Sequence, residues 1–215
     1  MEKLKKEQLV NSPTQALEGC IVTASAVILA GGKSSRMGYN KAFAELNHKP
    51  MIEVQLEELN NYFSEVIIVS NDPDLYKYLG VRIVADIIPG KGPLSGIHSG
   101  LIACSHEDCF TIPCDMPFIS GEVGERLLEL ARGYDGAVPK LDGKLEPLSA
   151  IYKKTCIPSI EDCLLKDKRR IIDFYPQVNL RYVEVLDPFF KETARVFSNI
   201  NTPADLAEAR LYIGF

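Results

Sequence analysis

The chain has 215 residues, 46% hydrophobic and 25% charged, with a net charge of −5. That is enough for one domain with a full core, and the acidic balance excludes a general nucleic-acid footprint. No apolar run reaches the roughly eighteen residues of a membrane span, and six cysteines without a C-x-x-C pair give no zinc pattern, so reduced thiols in a cytoplasmic protein are expected.

Residues 1–24 read as an N-terminal extension. Met1 to Val10 could form a charged helix, broken at Asn11-Ser12-Pro13-Thr14, and it carries no chemistry. Cys20 to Ala30 approaches the length of a signal peptide, but Glu2, Glu7 and Glu18 precede it and a glycine loop follows it. Within it, Ala26-Val27-Ile28-Leu29-Ala30 lacks polar alternation, the pattern of a strand buried on both faces. The strand stops at Gly31-Gly32, and Lys33, Ser34, Ser35, Arg36 and Lys41 follow. Glycines let the backbone approach a ligand, N–H groups after a buried strand favour anions, and the cations add charge. The stretch therefore predicts a phosphate loop. It is not a Walker A loop, because Val27 stands where that motif needs glycine. Gly90, Gly92 and Gly96 miss the G-x-G-x-x-G fingerprint by one residue.

Ala42 to Leu46 predicts a short strand with a turn at Asn47-His48-Lys49. Pro50 opens a helix on which Ile52, Leu56, Leu59 and Phe63 recur at helical spacing. Glu65 to Ser70 is the second strand, Pro73 to Leu79 a short helix, and Val81 to Asp86 the third strand. A loop with Gly90 and Gly92 leads to a helix from Leu94 to Cys104, whose Gly96, Ser99 and Gly100 suit close packing. Cys109 to Cys114 is the fourth strand, ending at Asp115-Met116-Pro117. Glu122 to Ala131 predicts an amphipathic helix, Asp135 to Pro139 and Leu145 to Tyr152 strands, and Thr155 to Phe174 one or two helices. Strands follow near Arg181 to Val185 and up to Asn199-Ile200-Asn201. Thr202 caps a last helix, with Pro203 at its first position and Asp205 at its third.

Alternating strands and helices predict an α/β fold with a mainly parallel sheet, which binds ligands beyond the carboxyl ends of its strands. Those ends carry the Gly31-Gly32 loop, Asn71, Asp86 and Asp115, converging on one crevice. A carboxylate at such an edge suits Mg²⁺, which takes one or two carboxylates together with phosphate oxygens. The bland reading of Asp115 is a turn aspartate, that of Lys41 a solvated loop cation, and those of Asn71 and Asp86 turn formers. Lys166, Lys168, Arg169 and Arg170 could attract an anionic substrate or simply coat a helix face. His48, His98 and His106 show no ligand spacing and are read as non-catalytic.

The segment Leu29-Ala30-Gly31-Gly32-Lys33-Ser34-Ser35-Arg36-Met37-Gly38-Tyr39-Asn40-Lys41 resembles the L-A-G-G-x-S-x-R-M-G-x-D-K signature of the nucleotidyltransferases typified by molybdenum cofactor guanylyltransferase. Cys114-Asp115-Met116-Pro117 resembles the family's C-D-M-P, Gly92-Pro93-Leu94-Ser95-Gly96 its G-P-L-x-G, Glu146-Pro147-Leu148 its E-P-L, and Asn199 to Pro203 its N-x-N-T-P close. The resemblance runs from about Ala26 to Arg210. It implies a three-layer αβα, Rossmann-like nucleotidyltransferase fold, with residues 25–215 as one domain. The implied reaction is transfer of GMP from Mg²⁺-GTP to molybdopterin-bound molybdenum cofactor, giving the guanine dinucleotide cofactor and pyrophosphate.

By the resemblance Lys41, Arg36 and Asp115 are catalytic, and Asp115 holds Mg²⁺. Leu29, Ala30, Gly31, Gly32, Lys41, Asn71, Asp86 and Asp115 contact GTP, and Lys33 is a further phosphate contact. Partners are GTP, the molybdopterin cofactor, and molybdoenzymes or cofactor-carrier proteins at handover. The family usually has Asp where this chain has Asn40, which predicts a weaker hold on the neighbouring lysine and a reduced rate. One alternative is a relative using CTP with a molybdopterin or sugar-phosphate acceptor. Such relatives usually carry L-A-A-G, and Gly31 leaves room for the larger purine. A second alternative is a non-catalytic nucleotide-binding relative.

Overall fold

The structure, a computed structural model, describes residues 21–31, 40–185 and 194–213. The helix expected at Met1 to Val10 lies outside these residues. Strand β1, Val22–Leu29, starts inside the stretch expected to precede the domain. Ala26, Val27 and Ile28 are fully buried, as the unbroken apolar run predicts. Their side chains alternate between two cores. Ala26, Ile28 and Ala30 face Ile52, Leu56 and Leu59 of α1 (Met51–Asn60) and Val123 and Leu127 of α3 (Gly121–Leu130). Val27 and Leu29 face Leu94, Ile97 and Leu101 of α2 (Pro93–Ala103) and Ile160 and Leu164 of α4 (Ile157–Leu165). The sheet thus carries helices on both faces, giving the three layers.

Beyond β1 the sheet contains β4 (Phe63–Val69), β5 (Arg82–Val84), β6 (Asp108–Pro113), β7 (Gly136–Leu141), β9 (Ala150–Lys153) and β10 (Leu180–Glu184), in the order β10-β7-β9-β6-β1-β4-β5. β8, Lys144–Leu145, pairs with β7. The pairs β1–β4, β1–β6, β4–β5 and β7–β10 are parallel, and β9 runs antiparallel to both β6 and β7. From β1 the chain moves outward to β4 and β5, then returns to β6 on the other side of β1. That reversal opens a crevice at the carboxyl ends of β1 and β6. The small residues of α2 let it lie close to the sheet, since a Cβ on Gly100 would come within 2.8 Å of Val27 Cγ1.

Several elements differ from the sequence reading. The strand expected over Ala42 to Leu46 is a 3-10 turn, Lys41–Phe43, followed by a small hairpin of β2 (Glu45–Leu46) and β3 (Lys49–Pro50). Its turn sits where expected, with Asn47 and His48 at φ 46° and 64°. Pro73 to Leu79 forms two 3-10 turns rather than a helix, closed by Gly80 at φ 68°. The strand expected over Leu145 to Tyr152 is broken at Glu146-Pro147-Leu148-Ser149, where proline has no N–H to give a ladder and Ser149 N instead donates to Glu146 O. No strand ends at Asn199-Ile200-Asn201. Ile200 N donates to Asp115 O at 2.8 Å, so this segment crosses the loop after β6 instead of joining the sheet. The last helix, α5 (Pro203–Ile213), has the predicted cap: Asp205 N donates to Thr202 Oγ1 at 3.2 Å and Thr202 N to Asp205 Oδ2 at 2.9 Å. Leu206 and Ala209 of α5 pack with Ala44, Leu46 and Met51, which fastens the chain's end to the β2–β3 hairpin.

Candidate functional site

A cavity of about 480 Å³ opens at the predicted crevice, bordered by Leu29, Gly31, Asn71, Asp86, Gly92 and Asp115 among others. Gly92 stands at the N-terminal boundary of α2 with φ 70° and ψ −159°, a conformation open essentially to glycine alone, and Pro93 begins the helix. The first turn of α2 therefore borders the cavity, but Pro93 has no N–H and Ser95 N donates to Gly92 O at 3.1 Å, so the helix end favours an anion mainly through its dipole.

Lys41 follows Asn40, whose Oδ1 accepts from Ala42 N at 3.1 Å and so caps the Lys41–Phe43 turn. Lys41 Nζ lies 3.2 Å from Asp115 Oδ2 and donates to Asn201 Oδ1 at 2.8 Å. Both charged side chains are largely shielded, at 15% and 23% exposure, so the pair is far less screened than a surface ion pair. Asp115 sits in the turn after β6, and Gln55 of α1 holds that turn: its Nε2 donates to Pro113 O at 3.0 Å and Met116 O at 2.8 Å. Among the described residues Asp115 Oδ1 accepts no hydrogen bond, so one carboxylate oxygen remains for a cation. No group of three or more His, Cys, Asp or Glu that could hold a metal occurs among the described residues. A metal here would have a single protein carboxylate and would complete its shell from phosphate and water, which fits Mg²⁺ and not structural zinc.

Asn71 and Asp86, both expected to touch nucleotide, hold each other. Asn71 Nδ2 donates to Asp86 Oδ2 at 2.9 Å, and Asp86 N donates to Asn71 Oδ1 at 3.0 Å. This engages both ends of the Asn71 amide and leaves Asp86 Oδ1 as the free acceptor at the cavity. Leu29 and Gly31 border the cavity, whereas Ala30 belongs to the opposite core, and its carbonyl accepts from Tyr76 Oη. Gly32, Lys33, Ser34, Ser35 and Arg36 lie outside the described residues.

On the far side of the cavity, Leu148 brings the Glu146-Pro147-Leu148 turn to its wall, and Tyr152 Oη fixes the turn by donating to Pro147 O at 2.8 Å. Burial raises the Glu146 carboxyl above its ordinary value, with Lys144 pulling the other way. Of the basic cluster, Lys166 pairs with Asp162, Arg169 with Asp167 and Arg170 with Asp173, so three of its four cations already have carboxylate partners. Asn199 lines a separate hollow of about 160 Å³ beside Phe118 and Glu208. His98 is buried with Nε2 beside Glu161, and His106 Nε2 lies against Ser64 Oγ, both away from the cavity wall. Sequence reasoning missed Gln55 and the direct bond from Lys41 to Asn201. A polar residue on the apolar stripe of α1 was the only available signal for Gln55.

Residues 26–179 match the family model of the MobA-like NTP transferase domain. A probable molybdenum cofactor guanylyltransferase of Pelotomaculum thermopropionicum is 42% identical over 194 residues, covering 89% of this chain and 94% of that protein. One of Clostridium perfringens is 40% identical over 186 residues, covering 85% and 93%. Among solved structures, molybdopterin-guanine dinucleotide biosynthesis protein A of Archaeoglobus fulgidus superposes with a TM-score of 0.77 at 29% identity, covering 88% of this chain and 98% of that one. A CMP-2-keto-3-deoxy-manno-octonic acid synthetase shares the fold at 15% identity and a TM-score of 0.69. With the glycine loop, the shielded Lys41–Asp115 pair and these likenesses together, the chain belongs to the MobA-like NTP transferases, the nucleotidyltransferase family of the molybdenum cofactor guanylyltransferases.

Proposed function

We infer that the chain transfers GMP from Mg²⁺-GTP to the terminal phosphate of molybdopterin-bound molybdenum cofactor, releasing pyrophosphate. The observation that carries this reading is the Lys41–Asp115–Asn201 cluster beside a cavity at the carboxyl ends of β1 and β6. The attacking phosphate oxygen is already an anion, so no strong base is needed. A new P–O bond forms at the α-phosphorus in line with the bond that breaks, and the electron pair leaves on pyrophosphate. Catalysis is then positioning and charge neutralisation.

Lys41 stabilises charge developing on the triphosphate, and Arg36 of the glycine loop adds a second cation. Asp115 would hold Mg²⁺, whose chemistry here is neutralisation of phosphate oxygens. Leu29, Gly31, Gly32 and Asp86 bind the base and ribose, Asp86 through its free oxygen, which the amide of Asn71 orients. Gly31 favours GTP over CTP, since a Cβ there meets no atom of the described residues within 4 Å and would intrude on the cavity that Gly31 borders. In this reading one domain begins with β1 at Val22, three residues earlier than the sequence suggested, and the residues before it are an appendage. Free thiols at Cys104, Cys109, Cys114, Cys156 and Cys163 suit action in the cytoplasm, with handover to a molybdoenzyme or carrier protein.

Isothermal titration with GTP, CTP and ATP, each with and without Mg²⁺, followed by an assay of labelled GMP transfer to the molybdenum cofactor, tests the reading. Selective, Mg²⁺-assisted binding of GTP and formation of the dinucleotide are expected. Preference for CTP, or no transfer with cofactor present, overturns it.

A further inference from the structure

We propose that Tyr76 is a positioning residue for this reaction: its hydroxyl clasps both ends of the glycine–lysine loop, and position 40 is an amide because of that clasp. The proposal rests on the transferase reading above.

Tyr76 is fully buried, borders no part of the cavity, and stacks on Phe43 with ring centroids 5.3 Å apart at 25°. Its Oη donates to Ala30 O at 3.3 Å and accepts from Asn40 Nδ2 at 2.9 Å. Ala30 is the residue before Gly31, and Asn40 is the residue before Lys41. One hydroxyl therefore fastens the start and the finish of the loop to the 3-10 turn Pro73–Leu75 and its C-terminal neighbour.

The donor count dictates the residue at position 40. A phenol has one proton to give; Ala30 O can only accept it, while Ser70, the hydroxyl's third partner, acts on it in the same sense as the Asn40 donor, both lowering a pKa that burial raises. What remains on Oη is an acceptor, so its second partner must donate. The same side chain must also accept from Ala42 N to cap the turn that carries Lys41. Asparagine does both, whereas an ionised aspartate can do only the second. With a carboxylate at position 40, Tyr76 would either turn its proton away from Ala30, taking a hydrogen bond from a buried carbonyl, or face the carboxylate with its lone pair. Asn40 is therefore matched to Tyr76, which reverses the expectation that the amide lowers the rate. Because Asn40 sets the turn at Lys41–Phe43, the clasp also sets where Lys41 Nζ meets Asp115 and Asn201.

The test is a double-mutant cycle of Tyr76→Phe and Asn40→Asp. Phenylalanine keeps the ring stack and removes only the hydroxyl. Each single variant should lower kcat by about tenfold while KM for GTP moves less than about threefold, because neither side chain lines the cavity. Together they should cost little more than either alone, since both break one unit. A gain or no change in kcat for Asn40→Asp, or effects that multiply in the double variant, overturns the proposal. Should Tyr76→Phe fail to fold, the sign of the half-exposed Asn40→Asp variant decides by itself. Hydrogen exchange of the 40–44 peptide without substrate is the second readout. It should quicken by about tenfold in both single variants, and unchanged exchange overturns the clasp. Absence of GMP transfer by the wild-type chain would sink the transferase reading and leave the exchange result standing on its own.

Discussion

Gln55 holds Asp115 without touching its side chain. The Gln55 amide, fully buried on α1, bridges the carbonyls of Pro113 and Met116, which flank the Cys114-Asp115 turn. Gln55→Leu keeps the volume but leaves those two carbonyls without their donor. At about 1–3 kcal/mol for each buried group left unpaired, the two carbonyls cost about 2–6 kcal/mol, offset in part because the variant also removes Gln55 Oε1, which is buried without a partner among the described residues. Urea unfolding reads the stability, and kcat at a temperature where the variant is folded should fall as Asp115 loses its fixed position. Unaltered stability and turnover would sink this role.

Lys41 and Asp115 should matter through charge. Lys41→Ala and Asp115→Ala should each lower kcat by at least about a hundredfold, the usual scale for removing one electrostatic stabiliser of a transition state. Asn201→Ala should cost less, about tenfold, because it removes one neutral acceptor from Lys41 Nζ. Circular dichroism of each variant checks that the fold survives. An Asp115→Ala enzyme that retains full Mg²⁺-dependent turnover would remove Asp115 from the metal site.

Gly31 separates room for a ligand from need of the backbone. A Cβ at Gly31 meets no atom of the described residues within 4 Å, and Gly31 is not among their positive-φ glycines. Gly31→Ala should therefore change stability by less than about 0.5 kcal/mol. GTP affinity should drop by about tenfold relative to CTP, the scale of one misplaced methyl in a binding pocket. Parallel titrations with both nucleotides measure that ratio, and an unchanged ratio would show that the base is selected elsewhere.

Acid should loosen the end of the sheet where β4 and β6 begin. Burial alone would raise the Glu65 carboxyl, but hydrogen bonds from Ser25 and from Ser105 N and Oγ outweigh it and hold it below its ordinary 4.5. Asp135 is held below its ordinary 3.8 by Asn179 N first, and then by Thr155 Oγ1. Both groups bind their proton less tightly folded than unfolded. The stability they contribute is thus full above the ordinary values and is lost as pH falls through the depressed ones. Urea midpoints measured from pH 7 down to pH 3 should decline below about pH 4.5. Glu65→Gln should start lower at neutral pH and decline less steeply. An acid limb identical to wild type would exclude Glu65 as a contributor.

The sequence by itself determined the layers and the place of the site. An unbroken apolar run gave a strand buried on both faces, helical spacing gave α1 and α3, and the glycine loop, Asn71, Asp86 and Asp115 followed strands whose carboxyl ends must share one edge. These are local signals, because burial period and turn chemistry act over a few residues. Tertiary structure alone decided what those side chains do to one another. The Asn71 amide is spent on Asp86. The residues before α5 cross the loop after β6, so that Asn201 reaches Lys41 from 160 positions away. Gln55 grips a turn 58 and 61 residues further on. Tyr76 bonds both Ala30 and Asn40, which stand ten positions apart in the chain. Such hydrogen bonds depend on which buried groups lack a partner once the layers have packed, and no periodicity in the chain encodes that.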